Sequence, residues 1–461
     1  MIEKSAQNFN AMNLINYIIA GGLISFIGYF IGSSDNPIEA TVYLCAYFLI
    51  LLTFIHPAWR VHLIVLLLFN VALMPVLSAE VNFGSVILPG PFVVAFIFTS
   101  VLVLLSFLAQ GRMITFAEPS LILFIFLILT FQLISIIVGY GKVDIIIWQR
   151  FLPTIQGFVA FFIIAYVFNK TDQVQNFLRI LAVSYIAFSF INILISLKTG
   201  FGYRYLSSSE YNLTAATTLS ALMNIYIPLG ICCFIAEQKG YFWRLIFLIS
   251  VLGALVLNTL TLSRGGILGM FITLSAFLLL GRHYLKRKMF IWGTTLIILS
   301  IILFASFYKL EMSDPLSGSS ILSFAYKRTT QEITSGDEDS RLNIYINAFK
   351  SIVENPLTGV GIGVQASHSL FLGAALEGGI VYLGLWLLLF ATLIKRAFRI
   401  WEKYSMHIYW GPVTFGLFTS LLNSFFLCLH DNIMYFVGYM VIFWFLRGIE
   451  GILLRNDYST V

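Results

Sequence analysis

The sequence predicts an all-α integral membrane protein that crosses the bilayer many times. Three observations carry this reading. Of 461 residues, 59% are hydrophobic and only 10% are charged, against roughly 25% charged in a soluble domain. Mean hydropathy is +0.92. The apolar residues are gathered into runs close to the roughly 20 residues that a helical span requires.

Taken in order, the first candidate spans are residues 14–32, 40–55, 61–77 and 91–109. Then come 120–139, 151–168, 177–198, 213–236, 243–260, 264–281 and 289–308, and the chain closes with 371–394, 407–428 and 432–454. This gives about 12–14 transmembrane helices, because several runs are short. The first run lacks a small-residue cleavage site behind a short apolar core, so it reads as a retained span. Alternate connections carry the basic residues: Lys4, Arg60, Arg112, Lys170, Arg179, Lys239, Arg244, Arg282, Lys286, Arg287, Lys288, Lys395, Arg396, Arg399, Lys403, Arg447 and Arg455. The intervening ones are acidic or nearly neutral, as at Asp35, Glu39 and Glu80. By the positive-inside rule both termini are cytoplasmic.

Three regions follow: an N-terminal transmembrane bundle over 1–308, one large periplasmic loop over 309–367, and C-terminal transmembrane helices over 368–461. The loop opens with a Ser-rich stretch and an acidic turn, Gly336-Asp337-Glu338-Asp339. Leu342, Tyr345, Ile346, Phe349, Ile352 and Val353 then recur at helical spacing. They predict an amphipathic helix from about Ser340 to just before Pro356, lying on the outer interface or capping the bundle.

Several function classes are excluded. The net charge of +6 is dispersed over short loops, which gives no basic patch for nucleic acid. Cys45, Cys232, Cys233 and Cys428 lie in apolar runs without metal-ligand spacing and read as small hydrophobes. No His-Glu-x-x-His motif and no carboxylate cluster in the spans point to a metal. Ser263 and Ser369 lack a nucleophile elbow and triad. The run Gly359-Val360-Gly361-Ile362-Gly363 is not followed by the Lys-Ser/Thr of a phosphate-binding loop. No metal and no cofactor is expected.

The candidate chemistry lies on the outer side. Arg264 stands between two apolar runs with almost no loop to hold it, where a charge drawn to the bilayer centre costs about 2.5–3.5 kcal/mol. Gly265 and Gly266 follow it and permit close approach of a ligand or backbone. Arg204 lies in the Gly- and aromatic-rich segment Gly200–Tyr205, Arg341 opens the predicted amphipathic helix, and His368 follows the Gly-rich run. Arg150, Tyr211, Asn212, Glu377 and His430 are secondary candidates. Each has a plainer alternative. An outer Arg also anchors lipid headgroups, Arg264 also suits an interhelical ion pair, and Glu377 also suits an Arg partner. His430-Asp431 fits a turn as well as an acid/base pair. His56, His62, His283 and His407 fall on the opposite side.

These residues carry a resemblance. Asn355-Pro356-Leu357-Thr358-Gly359-Val360-Gly361-Ile362-Gly363, then His368-Ser369, then Gly379 and Tyr382 at fixed spacing, resemble the bacterial O-antigen polymerase and O-antigen ligase family. Ser263-Arg264-Gly265-Gly266 with Leu268 resembles that family's Ser-Arg-Gly segment. Arg341 resembles the Arg before its Pro-Leu-x-Gly-x-Gly run, and Arg204 with Tyr211-Asn212 its outer-loop Arg. Ser369 departs from the Asn commoner in the family. The resemblance covers roughly residues 200–385; the first half matches only in hydropathy.

The resemblance implies a GT-C-like glycosyltransferase of the bacterial inner membrane, active at the periplasmic face without metal and with inversion. Donor and acceptor would be undecaprenyl-diphosphate-linked oligosaccharides. Arg204, Arg264 and Arg341 would bind the diphosphate, and His368 would take or orient the acceptor hydroxyl proton. The span count favours a polymerase, with a chain-length regulator as a possible partner besides membrane lipids. The alternatives are a ligase transferring the glycan to lipid A-core and a lipid-linked saccharide transporter or flippase, whose site would lie nearer the midplane.

Overall fold

The fold comes from a computed structural model. It describes residues 81–83, 86–88, 119–138, 145–168, 171–199, 216–238, 240–261, 263–281, 287, 291, 294–295, 298, 341–362, 367, 369–430, 433–435 and 437–455. The predicted spans 14–32, 40–55, 61–77 and 91–109 lie outside the described residues. So does 289–308, apart from isolated helical positions.

The chain divides into two compact units, Met1–Thr99 and Ser100–Val461. In the first, the described residues form one antiparallel hairpin, β1 (Val81–Phe83) and β2 (Val86–Leu88), with Asn82 opposite Ile87. It falls in the predicted outer connection after residue 77. β-Branched and aromatic residues flank Gly84-Ser85, types that two-residue hairpin loops favour. The all-α expectation therefore needs this one small addition.

The regular structure described in the second unit is entirely helical. In order come α1 (Pro119–Val138), α2 (Ile145–Val167), α3 (Thr171–Thr199), α4 (Ala216–Ala236), α5 (Tyr241–Leu260) and α6 (Arg264–Ala276). A π-helical turn, Phe277–Gly281, continues α6. Then come α7 (Arg341–Glu354), α8 (Leu370–Tyr404) and α9 (Trp410–His430), a 3-10 turn at Ile433–Tyr435, and α10 (Val437–Arg455). Each of these helices coincides with a predicted span or with the predicted amphipathic helix. Five, within α1, α4, α5, α8 and α9, are long and apolar enough to cross a membrane. The protein is an all-α polytopic membrane protein.

α4 is the centre of the bundle. All of Leu219–Ala236 is buried, as expected for a helix apolar on every side. It packs against α5, α6, α9 and α10. Close approach relies on small residues, because lipid tails supply no hydrophobic drive between helices. A Cβ on Gly416 of α9 would lie 2.9 Å from the Leu229 backbone and from Cys232 of α4. Gly448 of α10 sits equally tightly on Ile164 of α2.

Two cations assigned to inside loops are in fact buried within helices. Arg396 lies in α8 and Arg447 in α10. Arg447 is ion-paired with Glu450 and donates Nη2 to the Leu417 carbonyl at 3.2 Å. Arg396 donates Nη2 to the Arg447 carbonyl at 3.2 Å. Hydropathy ends a span where charge appears, but Arg396 bonds across to α10, and α8 runs on to Tyr404, past the predicted end at 394.

Candidate active site

The helix directions bring several predicted residues to one end of the bundle. Gly416 of α9 faces Leu229 and Cys232, whereas Asn423 bonds the Asn224 carbonyl; α9 therefore runs antiparallel to α4. Gly266 faces Ser220 and Gly269 faces Asn224, so α6 runs parallel to α4. Asn423 Nδ2 also bonds Thr273 Oγ1 at 2.7 Å. From that contact α6 extends back about 13 Å to its start, and α9 extends about 10 Å to its end, at about 1.5 Å per residue. Arg264 at the start of α6 and His430 at the end of α9 thus share one end and nearly one level.

The start of α8 is tied to the same end. Ser369 is its N-cap: Ser369 Oγ accepts from the Leu372 N–H at 3.4 Å and donates to the Cys428 carbonyl at 3.2 Å. Ser367 Oγ accepts from the Ser369 N–H at 3.2 Å and donates to its carbonyl at 2.9 Å. His368 itself lies outside the described residues; its neighbour Ser369 is bonded to α9, and Ser367 is bonded to Ser369. The half-buried His430 is two residues beyond Cys428. α2 and α10 run parallel, since Gly157 meets Met440 and Trp444 while Gly448 meets Ile164. The early turns of α2, which hold Arg150, accordingly lie towards this end too.

Arg341 opens α7, as the helical spacing predicts. Arg204, Tyr211 and Asn212 lie outside the described residues. Glu377 is 1% exposed and sits at a break in α8, where Gly378 (φ −137°) and Gly379 (φ 74°, ψ −171°) leave helical geometry.

This break is filled by the Gly-rich run after α7. An unbroken helix would bond the Ile380 N–H to the Leu376 carbonyl. Instead the Ile380 N–H donates to the Pro356 carbonyl at 2.8 Å, and the Leu376 carbonyl accepts from the Val360 N–H at 2.6 Å. Ser135 Oγ of α1 donates to the Glu377 carbonyl. The orphaned backbone groups are thus satisfied by protein, the condition for a broken helix at membrane depth. Glycine is required at both contact points. A Cβ on Gly359 (φ 64°) would lie 2.3 Å from the Leu376 carbonyl oxygen, and one on Gly379 2.3 Å from that of Leu357. The Gly-rich run and the Gly378-Gly379 pair are, in their described part, each other's partner.

Sequence reasoning missed Ser135 and a set of buried amides. Asn224, Asn258 and Asn423 join α4, α5, α6 and α9 inside the bundle. The available signal was a polar pair at i and i+4, Ser220 and Asn224, within an otherwise apolar span. Among the described residues no His, Cys, Asp or Glu group has the arrangement of a metal site. Cys232, Cys233 and Cys428 are buried free thiols.

The fold defines a polytopic membrane protein with a broken helix, and among the described residues the Arg150, Arg264 and His430 positions lie towards one bundle end. Residues 245–387 match the family model described as O-antigen ligase. This segment of the chain is therefore similar to the O-antigen ligase family, and the resemblance read from its motifs is borne out. The matched segment holds Arg264, Arg341, His368, Glu377 and the interlocked glycines. Proteins of this family are glycosyltransferase-like enzymes acting on lipid-linked sugars. No curated protein matches the chain.

Proposed function

We propose that the protein is a GT-C-type glycosyltransferase of the bacterial inner membrane. It moves a glycan from undecaprenyl diphosphate to a sugar hydroxyl at the periplasmic face. The observation that carries this reading is the convergence of the α6 start, the capped start of α8 and the end of α9. It brings the first residue of α6 and the Ser369 cap of α8 to one end of the bundle, which supports the reading.

In the proposed reaction the acceptor hydroxyl oxygen attacks the anomeric carbon. The bond from that carbon to the diphosphate oxygen breaks, and the configuration inverts. His368, with an ordinary pKa of about 6.5, takes the hydroxyl proton. Arg264 and Arg341, with Arg204, hold the diphosphate as its negative charge grows, the point at which preorganised cations accelerate most. These arginines meet the leaving-group charge without a metal.

The acceptor we favour is the next lipid-linked repeat unit, which makes the protein a polymerase; the high count of predicted spans supports it. The description of the matching family supports the second reading, a ligase that transfers the glycan to lipid A-core. Transfer assays with purified undecaprenyl-diphosphate repeat unit separate the two. A ladder of longer lipid-linked glycans that disappears in Arg264→Ala and His368→Ala is the polymerase result. Transfer only on addition of lipid A-core is the ligase result. Full activity in both variants, correctly inserted, would refute the site. Silence with both acceptors, with folded protein and competent donor, would favour a transporter.

A further inference from the structure

The first turn of α6 is held from inside the bundle by amides of two other helices. Asn224 of α4 donates Nδ2 to the carbonyls of Gly265 at 3.4 Å and Gly266 at 3.3 Å. Asn258 of α5 donates Nδ2 to the Gly266 carbonyl at 3.4 Å and to Asn224 Oδ1 at 3.3 Å. Ser220 Oγ donates to Asn258 Oδ1 at 2.8 Å and accepts from Asn224 Nδ2 at 3.4 Å. All three side chains are buried.

Among the described side chains the helix start has few other handles. Gly265 and Gly266 have no side chains, and the N-cap Ser263 makes no side-chain capping bond. The fit is close: a Cβ on Gly266 would lie 2.4 Å from Ser220 Oγ and 2.6 Å from Asn258 Oδ1, and one on Gly269 2.4 Å from Asn224 Cγ. Asn423 of α9 joins the same network from the other side, through the Asn224 carbonyl at 3.0 Å and Thr273 Oγ1 at 2.7 Å. Those bonds reach the middle of α6, not its first turn.

We propose that Asn224 and Asn258 are positioning residues for Arg264. They fix the height and rotation of the first turn of α6, and so set where residue 264 meets the donor diphosphate. The inference rests on the reading of Arg264 given above. It differs from a general role in stability because the amides grip the two residues that follow Arg264.

The test uses full-length protein in nanodiscs, with transfer kinetics and thermal unfolding measured on the same samples. Asn224→Leu and Asn258→Leu are expected to lower kcat by about 10–100-fold, the loss that follows from displacing a catalytic group by about 1 Å. Donor KM is expected to change much less, because the interaction strengthens in the transition state. Asn423→Leu is the control: it lowers Tm comparably while kcat stays within about threefold. Adding Asn224→Leu to Arg264→Ala is expected to cost nothing beyond Arg264→Ala alone, as for residues acting through one group. If Asn224→Leu does not insert, Asn224→Asp, which loses the donor when ionised, replaces it with the same expectation. Equal kcat losses in the Asn423 and Asn224 variants, or an additive double variant, would overturn the proposal. A fully active Arg264→Ala would overturn it too, and would identify the Arg264 reading itself as the failure.

Discussion

Replacing Gly379 by alanine tests the interlock that shapes this end of the bundle. At φ 74° and ψ −171° the residue occupies a region open essentially to glycine alone, at a cost of about 1–3 kcal/mol for any other residue. The added methyl would also lie 2.3 Å from the carbonyl oxygen of Leu357 and 2.4 Å from its carbon. These are backbone atoms and cannot rotate aside, so the loop must retreat. Retreat stretches the Ile380-to-Pro356 and Val360-to-Leu376 bonds, at 2.8 and 2.6 Å. A buried polar group left without its partner costs about 1–3 kcal/mol. Strain together with partial loss of these bonds gives about 3–6 kcal/mol, in the range reserved for severe substitutions. Thermal unfolding in detergent, followed by tryptophan fluorescence, includes a signal from α8, because Trp386 and Trp401 are buried on it. Gly384→Ala is the internal control: it is a helical position with nothing within 4 Å of the added methyl, so it should be neutral or stabilising by up to about 1 kcal/mol. A Gly379→Ala protein within about 1 kcal/mol of the parent, or a Gly384→Ala protein equally destabilised, would refute the reasoning.

Ser135→Ala removes the hydroxyl that serves the Glu377 carbonyl and should cost about 1–3 kcal/mol, less than Gly379→Ala in the same unfolding assay. Arg447→Met strips the buried Glu450 of its cation and should cost about 3–5 kcal/mol, whereas replacing both residues by apolar ones should recover most of that loss; a double variant as unstable as the single would be the contrary result. His407 lies in the turn between α8 and α9, and its Nδ1 accepts from the N–H groups of Tyr409 and Trp410 at 3.2 and 3.0 Å. Burial lowers its pKa, so the unfolded chain binds that proton more tightly than the folded one. The stability it contributes is full above about pH 6.5 and falls as acidification proceeds through the lowered folded value. His407→Ala should flatten the Tm–pH curve in that acidic window, and an unchanged curve would count against the role.

The helical architecture was legible because a span declares itself by length and apolar content. The amphipathic helix was legible because Leu342 to Val353 keep one period, and it begins at Arg341 as expected. What stayed hidden has a physical cause. Arg396 and Arg447 are charges inside packed helices, and a rule that reads charge as loop cannot place them. The amides of Asn224, Asn258 and Asn423 act between helices far apart in sequence, and an isolated Asn in an apolar run carries no mark of its partner. The hairpin at Val81–Leu88 is too short to stand out from the apolar residues around it.

The Gly-rich motif also changes meaning once the fold is known. Read along the chain, the Gly359–Gly363 run fails as a phosphate-binding loop, and Gly379 stands only as part of the spacing shared with His368 and Tyr382. In space they are two halves of one joint. The run after α7 supplies the carbonyl and N–H that the broken turn of α8 lost, and both motifs need glycine because backbone meets backbone. The joint separates the first segment of α8, which begins at the Ser369 cap, from the long segment that continues to Tyr404. The first segment is then held by Cys428 at its start and by Pro356 and Val360 at its end. The same polar bonds that excuse the break therefore also tie down the segment that begins at Ser369, and on the proposed function a substitution at Gly359 or Gly379 should reduce transfer along with stability.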